Sequence, residues 1–168
     1  MAGREPRNDP DAARGRGPVL FAYDGSELAK HAILEAGRQL DRGRDALVVC
    51  VWQPVDVGFV VPPERHLHAA EAPEVRRAAE ETAAEGAAIA EEAGFRARSV
   101  ASEAAPTWKG ILDAAEQHGA DLVVLGSAHR GALAGRLLGS VTADVAKHCL
   151  ISLLVVHRRA PAAQRDSL

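Results

Sequence analysis

Five short apolar runs recur along the chain, and longer amphipathic or alanine-rich stretches separate them. The run at 46–52 is apolar throughout instead of alternating with polar residues, and the run at 121–126 is continuously apolar after Asp121. Continuous runs of this kind are typical of strands in a parallel sheet that is covered on both faces. The run at 95–102 alternates weakly, so we expect it near an edge of the sheet. The pattern predicts strands at 18–23, 46–52, 95–102, 121–126 and 152–156.

The stretches between the runs carry the signals of helices. After the first run, Leu28, Ile33 and Leu40 are among the apolar residues that recur at helical spacing. Ser26 precedes this stretch, and its hydroxyl can cap the first turn of a helix. The predicted helices span 27–40, 73–93, 106–118 and 140–148.

The alternation of strands and helices indicates an α/β fold. We expect a single domain over residues 18–157, built as an open parallel sheet with helices on both faces and right-handed crossovers. In such sheets, ligands bind beyond the carboxyl ends of the strands, near the point where the strand order reverses. Residues that directly follow strands are therefore the first candidates for a site.

Both ends of the chain have a different character from the central part. Charged residues, proline and glycine dominate residues 1–17, and residues 158–168 are similar. We expect both to be disordered tails, since they contain too little apolar surface to order them. The first tail lacks the apolar core of a secretory signal, and no apolar run is long enough for a membrane helix. These features predict a cytoplasmic protein without a membrane partner.

The composition limits the kinds of partner that the chain can bind. The formal net charge is -3, from 20 Lys and Arg against 23 Asp and Glu. A nearly neutral chain lacks the broad basic field that non-specific nucleic-acid binding needs, so we expect no nucleic-acid partner. A bound anion would have to be held by local geometry.

The cysteines and histidines show no spacing that is typical of a metal site. Cys50 and Cys149 lie in or beside apolar runs, and we expect both to be reduced, buried thiols. His66 and His68 fall within residues 53–72, a proline-containing stretch that we predict to be a long loop. No metal ligands are therefore predicted.

The segment from Gly126 to Thr142 is the most informative stretch for function. Gly126 follows a predicted strand, and Gly139 with Ser140 opens a predicted helix. Glycines let the backbone approach a phosphate, and a helix start offers free N–H groups and the positive end of the helix dipole. Ser140 and Thr142 add hydroxyl donors. A flexible connector with Ser140 as an ordinary helix cap fits the same spacing, and both interpretations stay open on spacing alone.

Asp24 directly follows the first strand, where a carboxylate can accept hydrogen bonds from a ribose or help to place a metal. It also fits an Asx turn into the next helix, and the two roles are compatible. The chain lacks the P-loop ending GK[ST], a GxGxxG fingerprint after its first strand, and a GxSxG elbow. No Ser, His and Asp can be assigned to a catalytic triad, so nothing argues strongly for an enzyme.

Three stretches resemble the universal stress protein family, in the same order and at similar separations. They are VLFAYDGSELAKHAILEAGRQL, then ALVVCVWQP, then ADLVVLGSAHRGALAGRLLGSVTADVAKHCLISLLVV. The resemblance covers residues 18–157, and its most specific parts are the DGS after the first strand and the GS before the last helix. It implies a five-stranded parallel sheet of order 3-2-1-4-5, the adenine nucleotide α-hydrolase-like fold, and a homodimer formed through the last strand at 152–156.

Nucleotide-binding members of that family carry the motif G-x2-G-x9-G-[ST]. Gly126 matches its first glycine, and Gly139 with Ser140 matches its last pair. His129 stands in place of the middle glycine, where a requirement for positive φ would cost a non-glycine residue on the order of 1 kcal/mol. His129 and Arg130 also add donors and charge where an anion would lie. A second departure is the Ile-Ser pair at 151–152, where many relatives have Cys-Pro.

The resemblance also implies roles for individual residues. Asp24 would face the ribose, Val51 would meet the adenine through its backbone, and Leu125 would lie nearby. The residues around Gly126, His129 and Ser140 would surround the phosphates. The complete set of expected nucleotide-binding residues is Ala22, Tyr23, Asp24, Ser26, Val51, Leu125, Gly126, His129, Arg130, Gly139, Ser140, Val141 and Thr142.

These observations predict a homodimeric stress-response regulator that binds ATP, with or without Mg²⁺, and that is not primarily an enzyme. Two alternatives remain at this stage. The chain could be an interaction module of the same fold that has lost nucleotide binding, which the His129 departure favours. It could also be an enzyme that hydrolyses ATP slowly, although no general base is visible in the sequence.

Overall fold

Residues 16–53, 72–127 and 139–158 are described by the computed structural model. Their strands are β1 (Val19–Ala22), β2 (Asp45–Trp52), β3 (Arg96–Glu103), β4 (Leu122–Ser127) and β5 (Ser152–His157). Their helices are α1 (Glu27–Gln39), α2 (Ala72–Glu92), α3 (Thr107–Gln117) and α4 (Ser140–His148).

The strands form one parallel sheet in the order β3-β2-β1-β4-β5, which confirms the predicted fold class. The order reverses between β1 and β4, because β2 and β3 lie on one side of β1 while β4 and β5 lie on the other. The weakly alternating segment forms β3 at one edge, as its pattern predicted, and β5 forms the opposite edge.

The core consists of two apolar layers, one on each face of the sheet. Helices α1 and α2 cover one face, where Phe21 and Ile33 are almost completely buried. Helices α3 and α4 cover the other face, where Leu20, Ile111 and Val145 are buried. Full burial of an aliphatic side chain of this size stabilises a fold by about 1.5–3 kcal/mol, so these two layers carry most of the stabilising free energy.

One end of β3 differs from the prediction for a physical reason. Phe95 was expected to begin this strand, but the strand begins at Arg96. The ring of Phe95 instead packs edge-to-face against Phe21, with ring centroids 5.2 Å apart. Phe95 is therefore part of the core layer under α1 and α2. The hydrogen-bonded ladder of β3 starts one residue later, at Arg96.

The amino ends of three strands are held together by Arg44. Its guanidinium donates to the carbonyl oxygen of Gly17 at 3.1 Å and forms an ion pair with the carboxylate of Asp121. The Arg44 side chain is only 12% exposed, so this pair is better shielded from solvent than the other ion pairs of the described residues. The backbone N–H of Asp121 also donates to the Pro18 carbonyl at 3.3 Å. These contacts hold the amino ends of β1, β2 and β4 together.

The two cysteines differ in exposure, which corrects one expectation. Cys50 is buried in β2, and burial, with a smaller contribution from Asp24, raises the pKa of its thiol. Cys149 is only partly buried, because it caps the carboxyl end of α4 and does not enter β5. Its thiol lies 3.4 Å from the carbonyl oxygen of Ile151.

Several sequence predictions fall outside the described residues. They concern most of the two tails, at 1–15 and 159–168, and nearly all of the predicted loop, at 54–71. Among the helices that are described, none has both the length and the apolar character that crossing a bilayer requires.

Candidate functional site

A cleft of about 180 Å³ lies at the carboxyl ends of the central strands, where the strand order reverses. This is the position at which open parallel sheets bind ligands. The lining residues come from β1 and its following turn, α1, β2, α3, β4 and α4. They are Ala22, Tyr23, Asp24, Ser26, Leu28, Ala29, Val49, Val51, Thr107, Ile111, Leu125, Gly126, Val141 and Thr142.

Asp24 is exposed at the cleft in a tight turn between β1 and α1. One of its carboxylate oxygens accepts a hydrogen bond from the Ser26 N–H at 3.0 Å, which is the predicted Asx turn. Gly25 adopts a φ of +79°, a conformation that glycine takes without strain. The Ser26 hydroxyl then accepts from the Ala29 N–H at 3.2 Å and caps α1, as predicted. The turn thus holds a carboxylate at the mouth of the cleft.

Tyr23 contributes to the cleft, but its ring lies against α2. The residue is only 3% exposed, and its hydroxyl donates to Glu85 of α2 at 3.0 Å. Burial, the hydrogen bond to Glu85 and nearby negative charges together raise the pKa of Tyr23 to about 12. The phenol is therefore neutral at physiological pH and acts as a hydrogen-bond donor.

One part of the cleft wall is apolar. Val51 at the end of β2, Ile111 of α3 and Leu125 of β4 lie in the same core layer, and all three line the cleft. Ile111 and Leu125 are almost completely buried. Such a wall suits a flat, weakly polar group, because that group would remove apolar surface from water.

Thr107 brings a hydroxyl to the cleft from the first residue of α3. Its oxygen accepts a hydrogen bond from the Gln53 side chain at 3.1 Å, which leaves the hydroxyl hydrogen available to a ligand. Sequence reasoning missed this residue. The available signal was its position at the start of the helix after β3, since that helix crosses the sheet face beside the cleft.

Gly126, the first glycine of the motif, lies where α1 approaches β4 most closely. A Cβ atom at this position would lie 2.4 Å from the Leu28 carbonyl oxygen. Glycine is therefore required here by helix packing, whether or not a ligand is bound. The next residue, Ser127, is 2% exposed, and its hydroxyl has no hydrogen-bond partner within the described part of the chain.

Helix α4 begins at the rim of the cleft. Its N-cap is Gly139, not Ser140, so the interpretation of Ser140 as an ordinary helix cap is wrong. Within the described part of the chain, no side chain caps this helix, and Gly139 and Ser140 are both exposed. Val141 and the buried Thr142 line the cleft, one and two residues further into the helix. The helix start therefore presents free N–H groups and a hydroxyl on the cleft side.

The structure brings together nine of the thirteen expected binding residues as cleft lining: Ala22, Tyr23, Asp24, Ser26, Val51, Leu125, Gly126, Val141 and Thr142. Gly139 and Ser140 lie at the adjacent helix start instead of in the lining itself. His129 and Arg130 fall within residues 128–138, which lie outside the described residues. Among those that are described, no three His, Cys, Asp or Glu side chains converge in a way that could hold a metal.

An open parallel sheet with helices on both faces, and a cleft where its strand order reverses, defines the doubly wound class of α/β domains. The model of the universal stress protein family matches residues 15–157. The chain therefore belongs to the universal stress protein family.

Relatives of known sequence agree with this assignment. A universal stress protein of Mycolicibacterium smegmatis is 33% identical over 165 residues, which is 90% of this chain and 49% of the relative. A universal stress protein of Mycobacterium tuberculosis is 40% identical over 47 residues, which is 28% of this chain and 32% of that protein. The chain thus spans about half the length of the Mycolicibacterium smegmatis relative, and the match to the Mycobacterium tuberculosis protein covers about a third of that protein.

Solved structures share the fold at low sequence identity. A universal stress protein from Archaeoglobus fulgidus superposes with a TM-score of 0.63 at 18% identity, covering 84% of this chain and 98% of that one. A universal stress protein solved in complex with cAMP superposes with a TM-score of 0.60 at 22% identity, covering 85% and 98%. At this level of identity, the similarity establishes the fold alone.

Proposed function

We propose that this chain is a cytoplasmic stress-response regulator that binds an adenine nucleotide, ATP, in the cleft and acts as a homodimer. One observation carries the proposal. The cleft combines an apolar wall, a turn-held carboxylate and the start of a helix that no described side chain caps. These three elements match the base, the ribose and the phosphates of a nucleotide in chemical character.

Each part of the nucleotide has a chemical counterpart among the cleft residues. The adenine would lie against Val51, with Ile111 and Leu125 nearby, because this wall excludes water from a flat ring. The ribose hydroxyls would donate to the exposed carboxylate of Asp24. The phosphates would accept from the N–H groups at the start of α4 and from the Thr142 hydroxyl.

The phosphate side includes residues that are proposed from sequence alone. His129 and Arg130 would add positive charge and donors next to Gly139 and Ser140. A Mg²⁺ ion, where present, would be bound chiefly by the phosphate oxygens. The universal stress protein solved with cAMP supports an adenine nucleotide as the ligand class. The choice of ATP rests on the start of α4 beside the cleft, since the N–H groups of a helix start suit a chain of several phosphates.

The homodimer is supported by the difference between the two sheet edges. The β3 edge carries Arg96, Arg98 and Glu103, and charges of this kind discourage the pairing of another strand. The β5 edge, Ser152–His157, contains four consecutive apolar residues and no Lys, Arg, Asp or Glu. A second copy of β5 could pair with this edge and cover its apolar side chains.

Titration calorimetry with ATP and Mg²⁺, on protein stripped of carried-over nucleotide, tests the proposal. Asp24→Ala removes the carboxylate and should weaken binding about tenfold or more. Gly139→Val places a side chain at the helix start, where a Cβ atom has no neighbour within 4 Å among the described residues and φ is -54°. This variant should therefore fold normally, yet lose ATP affinity because the new side chain obstructs the phosphates.

Asp45→Ala is the matched control, since Asp45 is an exposed carboxylate that pairs with Arg96 at the amino end of β2. Its ATP affinity should equal that of the wild type. Failure of the wild type to bind millimolar ATP would reject the nucleotide proposal and favour an interaction module. Turnover of ATP that is lost in Asp24→Ala would favour the hydrolase alternative.

A further inference from the structure

Helix α2 approaches the residues on both sides of Asp24. The Tyr23 hydroxyl donates a hydrogen bond to Glu85 at 3.0 Å. Beside Gly25, an added Cβ atom would be 3.6 Å from a methyl carbon of Thr82. Tyr23 is therefore bonded to α2, and Gly25 lies close to a side chain of the same helix.

The ring of Tyr23 is closely confined between the sheet and α2. A Cβ atom at Gly86 would lie only 2.7 Å from both the Tyr23 ring and the Val48 side chain. The absence of that atom lets the ring pass directly beneath the helix. The confinement holds the ring in one place, with its hydroxyl within hydrogen-bond distance of Glu85.

The backbone of Tyr23 is fixed from the opposite direction. Its N–H donates to the Val49 carbonyl of β2 at 2.9 Å, one residue beyond the end of β1. The residue is thus held by β2 through its main chain and by α2 through its side chain. Asp24 is the next residue, so its backbone position depends on both restraints.

We propose that Glu85 is a positioning residue for the cleft, which acts through Tyr23 to hold the Asp24 turn where a ligand meets its carboxylate. This inference rests on the proposed nucleotide function, because it concerns the same Asp24 carboxylate. Glu85 itself is not among the residues that line the cleft. Glu85 fixes the geometry of the turn, and Asp24 is the residue that contacts the ligand.

Coupling between the ligand and this hydrogen bond must act in both directions. If the Tyr23–Glu85 bond favours the binding-competent turn, then a bound ligand must favour the bond to the same extent. The chain contains a single tyrosine, so tyrosine labelled with an NMR-active carbon isotope gives one ring signal that reports on Tyr23 alone. Ligand binding should therefore shift that signal even though the ring faces α2.

The binding test compares four variants by titration calorimetry with ATP. Tyr23→Phe removes the donor and Glu85→Leu removes the acceptor, and each should weaken ATP binding about three- to tenfold. The double variant should bind no more weakly than either single variant, because both remove the same hydrogen bond. Glu85→Gln keeps an acceptor oxygen and should restore most of the affinity.

Glu91→Leu is the control, since Glu91 is an exposed glutamate near the carboxyl end of the same helix. It should retain wild-type affinity, and in labelled protein its tyrosine signal should shift with ATP as in the wild type. In Glu85→Leu the ATP-induced shift should be reduced, which a purely stabilising role would not produce.

The outcomes separate the two proposals. No ATP binding by the wild type rejects the nucleotide function, and the positioning role falls with it. Wild-type binding with unchanged affinity in Tyr23→Phe and Glu85→Leu rejects the positioning role alone. Additive losses in the double variant, or failure of Glu85→Gln to recover affinity, would also overturn it, because the two residues would then not act through one hydrogen bond.

Discussion

Tyr23 and Asp24 are neighbours in the chain, yet their surroundings are opposite in character. Tyr23 is almost fully buried against α2, and Asp24 is exposed at the cleft. The sequence predicted the turn and the cap at Ser26, because both depend on residues within a few positions. It could not predict that the Tyr23 hydroxyl reaches Glu85, since that contact joins residues 62 positions apart.

The raised pKa of Tyr23 predicts a pH dependence of stability. Folding raises the pKa from 10.0 to about 12, so the folded state favours the neutral phenol. The stabilisation that Tyr23 contributes is complete below pH 10 and is lost as the pH rises from 10 towards 12. Over that range the wild type should lose more free energy of unfolding than Tyr23→Phe does, by no more than about 3 kcal/mol.

Urea unfolding of the wild type and Tyr23→Phe, at matched ionic strength across this pH range, measures the difference. Parallel pH profiles for the two proteins would show that the phenol does not ionise differently on folding. The comparison between the two proteins removes the contribution of the lysines and arginines, which both share.

At the scale of elements, Gly126 shows that the packing of a helix on a strand can explain why a motif position is glycine. The family motif marks it as part of a phosphate loop, whereas the structure shows that α1 packs directly onto its Cα. The interpretation based on the motif and the one based on packing are compatible. They predict different results for stability, because only packing affects the unliganded protein.

Gly126→Ala should therefore destabilise the protein in the absence of any ligand. The added methyl group would lie 2.4 Å from the Leu28 carbonyl oxygen, so α1 or β4 must move. Overpacking of this kind costs about 1–3 kcal/mol. Thermal unfolding of the unliganded variant measures the loss. The matched control is Gly139→Ala, where a Cβ atom has no close neighbour in the described parts of the chain. Equal melting temperatures for the two variants would contradict the packing explanation.

Elements were easier to predict than the cleft wall. The continuous apolar runs predicted the strands. The apolar residues at helical spacing in α1 include Ala32 and Ile33, which are buried in the structure. Residues at the carboxyl ends of β1 and β4 were identified because strand ends are recognisable in sequence. Thr107 was missed because its position at the start of α3 does not by itself show that it reaches the cleft, which depends on how α3 crosses the sheet.

At the scale of the whole molecule, the two sheet edges are unequal. The prediction that the last strand forms a dimer came from family resemblance, and the structure adds a physical reason. The exposed positions of β3 include charged side chains, whereas the partly buried positions of β5 are Leu153, Leu154 and Val155. Leaving this edge uncovered would keep apolar side chains and free backbone groups in water.

A single charge on this edge should therefore shift the oligomeric state. Val155→Lys places an ammonium group at a partly buried position in the middle of β5 and should convert the dimer to a monomer. Ser99→Lys, an exposed position on the opposite edge strand, should leave the dimer intact. Light scattering coupled to size-exclusion chromatography measures both masses. A monomeric wild type, or a dimer disrupted only by Ser99→Lys, would contradict the assignment of the β5 edge.

The positions at which the chain enters and leaves the sheet also determine how the domain responds to mechanical force. The chain enters at Gly17, beside the Arg44 contacts at the amino ends of the strands, and leaves at His157, beside Ser127 at the carboxyl ends. Pulling on these two points acts along the strand direction and passes from β1 through β4 to β5. The ladder hydrogen bonds between these strands would then be loaded together in shear instead of opening one after another, so the domain should resist extension strongly for its size.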